Sequence, residues 1–302
     1  MRWEKQGLLL EAPGGRWWTA SRAMVPIAMP EDGERILLHF SACDTEGRTR
    51  VGRALVDLAA PSWAKLQAEP VLDFGPRGTF DDNGVTACSI ADHGGRRFLY
   101  YSGWNKGVTV PFYLAIGCAV SEDGGATFTK VSPAPVLGRT RFDPIFTTSP
   151  WVIVDGGRFR MWYTSCVEWR MEGGRPHHRY RIKYAESRDG IEWQAGDRIA
   201  IDFAGDDEYA LSRPCVIRDP DRYRMWFSRR GDRYRIGYAE SQDGLRWTRL
   251  DAALGLDVSA VGWDSEMVEY PFVFDQGGRR QMLYNGNGYG ASGIGRAVLV
   301  AR

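Results

Sequence analysis

Carboxylates gather in four short stretches of the chain, "GTFDDNGVT", "RTRFDPIFTT", "DDEYALSR" and "WDSEMVEY". Brought around one axis, such acids suit glycoside chemistry. One protonated carboxyl donates to the leaving oxygen, a second attacks or activates water, and a third group orients them. Glu266 is the candidate general acid, Asp82 the nucleophile or base and Glu208 the supporting acid. Asp81, Asp143, Glu269 and Tyr270 are candidate substrate contacts beside them. The competing reading for each acid is a turn cap or a solvated loop carboxylate.

Arg22 and Arg213 lie in the same neighbourhoods, where a guanidinium would hold the acids ionised or grip an anionic sugar or phosphate with two arms. Trp104 with Asn105, Trp169, Asn285 and Asn287 combine flat apolar faces with amides, the pairing that sugars require. For Trp104 and Trp169, core packing is the alternative. His177 and His178 adjoin glycines and read as exposed loop residues, whereas His39 reads as a hydrogen-bonded core histidine. No metal-ligand spacing is present and no cofactor is required, a channel Ca2+ or other ion being the alternative at His39. There is no Ser-His-Asp order, phosphate loop or H-E-x-x-H motif. The glycine-rich "YNGNGYGASG" connects strands rather than a strand to a helix, which excludes a nucleotide loop.

The elements that must position these groups are repeated. "SPWVIVDGGRFRMWYTS" from Ser149 matches "SRPCVIRDPDRYRMWFS" from Ser212, with weaker relatives starting at Val25, Ala87 and Tyr270. The anchors Pro26, Ala87, Pro150, Pro214 and Pro271 recur roughly sixty residues apart. A second motif, as in "KYAES" and "GYAES", keeps the same order and phase, and Asp123-Gly124, Asp189-Gly190 and Asp243-Gly244 supply hairpin turns. Each unit predicts four antiparallel strands, a propeller blade, so the chain is expected to be one all-β domain, residues 1–302, with five blades. The fifth unit reaches only its third strand, and "RWEKQGLLL" from Arg2 is expected to complete it and close the ring.

Composition agrees with one globular body: 43% of the 302 residues are hydrophobic and 13% aromatic, with a net charge of +1. That balance argues against nucleic acid. Residues 1–10 are too short and too charged for a signal-peptide core or membrane span. The odd set of Cys43, Cys88, Cys118, Cys166 and Cys215 reads as buried free thiols in a cytoplasmic protein. The sequence carries no signal for an oligomeric state.

With "FDDNGV", "YYSGWN", "KYAESRDGIEW", "SRPCVI", "GWDSEM" and "YNGNGYG" in place, the chain resembles the five-bladed propeller superfamily of arabinanases, β-xylosidases, invertases and levansucrases. It looks closest to stand-alone bacterial propellers associated with surface-polysaccharide gene clusters. The resemblance implies a sugar-containing substrate and acids in the first, second and a later blade, the last often before Gly-Pro. Asp82 matches the second position, and Glu269-Tyr270-Pro271 echoes the last in the fifth blade. The first blade offers Arg22 and no acid, which implies a redistributed set of acids or a different chemistry. A glycosidase or transglycosidase of envelope-glycan metabolism is the expected function, and a non-catalytic sugar-binding or assembly propeller is the alternative.

Overall fold

A computed structural model describes residues 1–301. The chain is all-β. Strand β1 (Arg2–Glu11) precedes β2 (Ser21–Pro30), β3 (Arg35–Cys43) and β4 (Thr49–Asp57), then β5 (Gly84–His93), β6 (Arg96–Lys106), β7 (Phe112–Ser121) and β8 (Thr129–Lys130). The third repeat holds β9 (Thr147–Asp155), β10 (Arg158–Glu172), β11 (Arg175–Ser187) and β12 (Trp193–Ile201). The fourth holds β13 (Ala210–Arg218), β14 (Tyr223–Arg230), β15 (Tyr234–Ser241) and β16 (Thr248–Arg249), and the fifth β17 (Glu269–Gln276), β18 (Arg279–Asn285) and β19 (Gly293–Ala301). Neighbours within each repeat run antiparallel.

Two compact units divide the chain. One comprises residues 1–71 and 215–302, the other 72–214. In the first, β1 pairs antiparallel with β19 and makes the four-stranded order β1-β19-β18-β17. Trp3 of β1 is buried and meets Trp226 edge-on at 6.3 Å. In the second, Phe98, Tyr100, Phe159 and Met161 join the second and third repeats in one apolar core. The fourth strand departs from the expected regular blade: β8 and β16 have two residues each, and the first repeat has only the bridge Ala54↔Leu66. Prolines at 61 and 70 flank that segment, and short outer strands leave little exposed edge to pair with other chains.

The Asp-Gly turns are built as their chemistry requires. Gly124, Gly190 and Gly244 take positive φ, while the Oδ1 atoms of Asp123, Asp189 and Asp243 each accept two backbone N–H groups just downstream. A serine two residues earlier donates to each Asp at 2.7–3.0 Å. These turns therefore hold strand three to strand four.

Another feature recurs where the inner strand begins. Val25, Ser149, Arg213 and Tyr270, the residues before Pro26, Pro150, Pro214 and Pro271, are all left-handed, with φ of 51, 47, 52 and 54°. A residue before proline ordinarily stays extended, and a left-handed non-glycine residue costs on the order of 1–3 kcal/mol. At three of the four, hydrogen bonds to the preceding repeat offset this cost. Ser149 N donates to Ser102 Oγ at 2.9 Å, Tyr270 N to Ser228 Oγ at 2.8 Å and Val25 N to Asn285 Oδ1 at 2.9 Å. Ser102, Ser228 and Asn285, each on the second strand of its repeat, are thus latches onto the next repeat. The third of these bonds joins the fifth repeat to the first. Register shifts accompany the latches, including one between Glu269 and Phe272, so the bulge takes Glu269 and Tyr270 out of simple alternation.

Candidate functional site

Three of the acids ahead of the inner strands are occupied inside their own repeats. Asp81 accepts from Thr79 Oγ1 at 2.8 Å and Tyr101 Oη at 3.1 Å, and pairs with Lys130 at 2.6 Å. Asp143 accepts from Ser165 at 2.6 Å and Tyr163 at 3.1 Å, with Lys183 at 3.1 Å. Asp264 accepts from Tyr284 at 3.0 Å and pairs with Lys5 at 2.7 Å. All three carboxylates are buried, and each lies twenty residues before its tyrosine. Burial, reinforced by the adjacent Asp, raises the pKa of all three phenols, so each remains a donor. Where the repeat has Phe227 instead, Asp207 at the matching place is exposed. Asp81 and Asp143 therefore form internal Asp-Tyr-Lys staples.

The three expected catalytic acids are likewise spoken for by local structure. Asp82 Oδ2 accepts Gly78 N and Glu208 Oε2 accepts Ala204 N, both at 2.8 Å, so each closes a turn onto the residue four positions earlier. Glu266 is 59% exposed and pairs with Arg233 at 3.2 Å on the surface. Asn285 is fully buried and bonds Ala23 O, Gly293 O and Val25 N. Asn287 holds the 262–267 loop by accepting from Glu266 N and donating to Gly262 O. Arg213 is buried and donates to the carbonyls of Ala87 and Cys88. Trp169 packs among Phe112, Phe146 and His178. Trp104 and Asn105 are half-buried at the end of β6, opposite Leu114 and Tyr113. His177 and His178 lie in β11 rather than a loop, with His178 stacked on Tyr180 at 4.7 Å, because the β10–β11 hairpin runs on to Gly173 and Gly174. No cluster able to hold a metal ion occurs among the described residues.

One acid differs from the rest. Glu269 is wholly buried, and neither carboxyl oxygen meets a donor in hydrogen-bond geometry. Burial drives its pKa well above the ordinary range, against the opposing charges of Arg230 and Arg22 and the adjacent Tyr270. A buried polar group left unsatisfied in this way calls for a role. Around it, Arg22 Nη1 donates to Gly288 O at 2.5 Å and Tyr289 O at 3.2 Å, while Arg230 Nη1 donates to Tyr289 Oη at 3.2 Å. Tyr234 lies 6.4 Å from the ring of Tyr270 and 6.1 Å from that of Tyr289, and Arg230 sits over Tyr234 at 5.2 Å. The glycine-rich segment is shaped for this contact. Gly288 and Tyr289 are left-handed, and a Cβ on Gly290, itself at φ 79°, would lie 2.7 Å from Ala23 O. Sequence reasoning brought Arg22, Glu269 and Tyr270 forward but missed Arg230, Tyr234 and Tyr289, which reach the site only through tertiary packing.

Two curated relatives match the chain from end to end. The uncharacterized proteins Rv1502 of Mycobacterium tuberculosis strain H37Rv and MT1551 of strain CDC 1551 are each 46% identical over 300 residues, with 99% of both chains covered. The chain belongs to their family. No protein-family model matches it. Among solved structures it is similar to a glycoside hydrolase (TM-score 0.75, 17% identity, 99% of this chain and 93% of that one). It is similar also to a thermostable family-43 glycoside hydrolase (0.68, 18%, 93% and 89%). A third is the endo-arabinase of Bacteroides thetaiotaomicron (0.64, 16%, 94% and 96%). These likenesses carry the fold: an all-β, glycoside-hydrolase-like propeller. No helix among the described residues is long and apolar enough to cross a membrane.

Proposed function

We propose that the protein is a carbohydrate-active enzyme, a glycosidase or transglycosidase, in which Glu269 rather than Glu266 is the general acid. The observation that supports this most is the buried Glu269 carboxyl, which meets no donor in full hydrogen-bond geometry and lies next to Tyr270 and in the field of Arg22 and Arg230. A carboxyl whose ionisation is opposed by desolvation is poised to give its proton to a leaving oxygen. Tyr270 and Tyr289 offer faces for the C–H surface of a sugar ring. The repeats are read as five blades in a ring completed by β1, in line with the latch from Asn285 to Val25. Five buried free thiols fit a cytoplasmic setting, and envelope-glycan metabolism is the process assigned to it.

A sugar-binding or assembly propeller without turnover is the second reading. It is favoured by the use of Asp81, Asp143 and Asp264 as internal staples, which leaves Glu269 without an evident carboxylate partner in its own unit. The two readings separate in an NMR time course of anomeric protons, run on oligosaccharides and nucleotide sugars with the wild type and Glu269→Gln. Loss of a substrate signal, abolished by the variant, supports the enzyme. Broadened signals without product, equal in both proteins, support the binding propeller.

A further inference from the structure

Arg22 is the unusual residue of this site. It is half-buried and left-handed at φ 68°, a conformation an arginine adopts only when its surroundings impose it. Its Nη1 is fixed by the carbonyls of Gly288 and Tyr289. Among the described residues its Nε and Nη2 have no acceptor, and no carboxylate lies within ion-pair distance of it. Arg230 approaches the same Tyr289 through the phenol. Glu269, the acid on which both guanidinium charges act, turns neither oxygen to a donor. Arg22 thus keeps open donors beside this acid, and a guanidinium with open donors is built for carboxylate or phosphate.

We infer that Arg22 binds the anionic group of the sugar substrate, either the carboxylate of a uronic acid or the phosphate of a sugar phosphate. Arg22 presents its free Nε and Nη2 edge to the oxyanion, and the carbonyls of Gly288 and Tyr289 keep the guanidinium in place. Burial disfavours the charged form of Glu269 and so weakens its competition for this guanidinium. The inference rests on the sugar-processing reading but fails separately from it. Turnover confined to neutral glycosides would overturn the anionic preference and keep glycosyl chemistry. Tight binding of a charged sugar with no turnover across the panel would do the reverse.

The test is calorimetric titration of the full chain with D-glucuronic acid, glucose 6-phosphate, glucose and inorganic phosphate at fixed ionic strength. At least one charged sugar should bind about tenfold or more tighter than glucose, with inorganic phosphate competing if the phosphate is the feature read. Arg22→Gly removes the guanidinium at a backbone position glycine adopts without strain, and should reduce the charged sugar to the affinity of glucose. Arg22→Lys, which keeps the charge and loses the fork, should fall between them. Glu269→Gln should leave the preference intact. Equal affinity for glucose and both charged sugars, no binding of either charged sugar at millimolar concentration, or a preference unmoved in both Arg22 variants would overturn the inference.

Discussion

At the scale of single residues, the environment of a carboxyl separates the acids more sharply than its place in the sequence. Glu269→Gln should lower glycosyl turnover by about 10²–10⁴-fold, the usual contribution of a positioned acid, as read from single-turnover rates. The same variant has a stability signature. The folded pKa of Glu269 is raised, so its stability term is whole below the unfolded value near about 4.3 and is lost as pH rises through the folded value. Calorimetric melting temperatures of wild type and variant should therefore converge in acid, and the variant should become the more stable at alkaline pH. Asp143→Ala should cost about 3–5 kcal/mol in denaturant unfolding, because Lys183 stays buried without its main partner. Glu266→Gln, which touches only an exposed pair with Arg233, should melt as the wild type does.

At the scale of elements, β1 supplies Trp3 to the core and Lys5 to Asp264, and covers the edge of β19. Deletion of residues 1–10 should abolish the cooperative unfolding transition in circular dichroism; a truncated chain that melts as the full one does would show that β1 is dispensable. The repeats, the Asp-Gly turns and the pairing of the first strand with the last were legible in the sequence because their chemistry is local: glycine takes the positive φ, and Asp binds its own backbone. The site was less legible. Asp81, Asp143 and Asp264 occur where channel acids would, and recurrence alone does not separate an acid that faces a substrate from one lodged under a tyrosine. A usable signal was present in the twenty-residue spacing to Tyr101, Tyr163 and Tyr284. Nothing local marked Arg230 or Tyr289: Tyr289 meets Arg22 only after the last repeat packs on the first, and Arg230 reaches Tyr289 through the phenol.

At the scale of the whole molecule, stability in acid depends on salt-bridged carboxylates. In Asp219, burial would raise the pKa, but the hydrogen bonds and charges of Arg280 and Arg224 outweigh it and hold the group low. Asp44, bonded by Arg50 and Arg48, is lowered to about 2. Groups depressed in this way add stability above their unfolded pKa and lose it as pH falls through the folded one. Unfolding free energy should therefore decline from about pH 4 downward, most steeply toward pH 2. Arg280, bidentate to Asp219 and bonded to Asp275, ties the fourth repeat to the fifth, and Arg280→Met should bring that decline to a higher pH. The site stands on this framework, and both its chemistry and its choice of ligand require that Glu269 carry a proton at neutral pH. The most direct measurement is a carboxyl-carbon NMR titration of wild type against Glu269→Gln, which isolates the one missing resonance. A resonance still in the protonated position at neutral pH is the expected result. A resonance that titrates near the ordinary glutamate value would contradict both the acid role of Glu269 and the Arg22 charge left for the substrate.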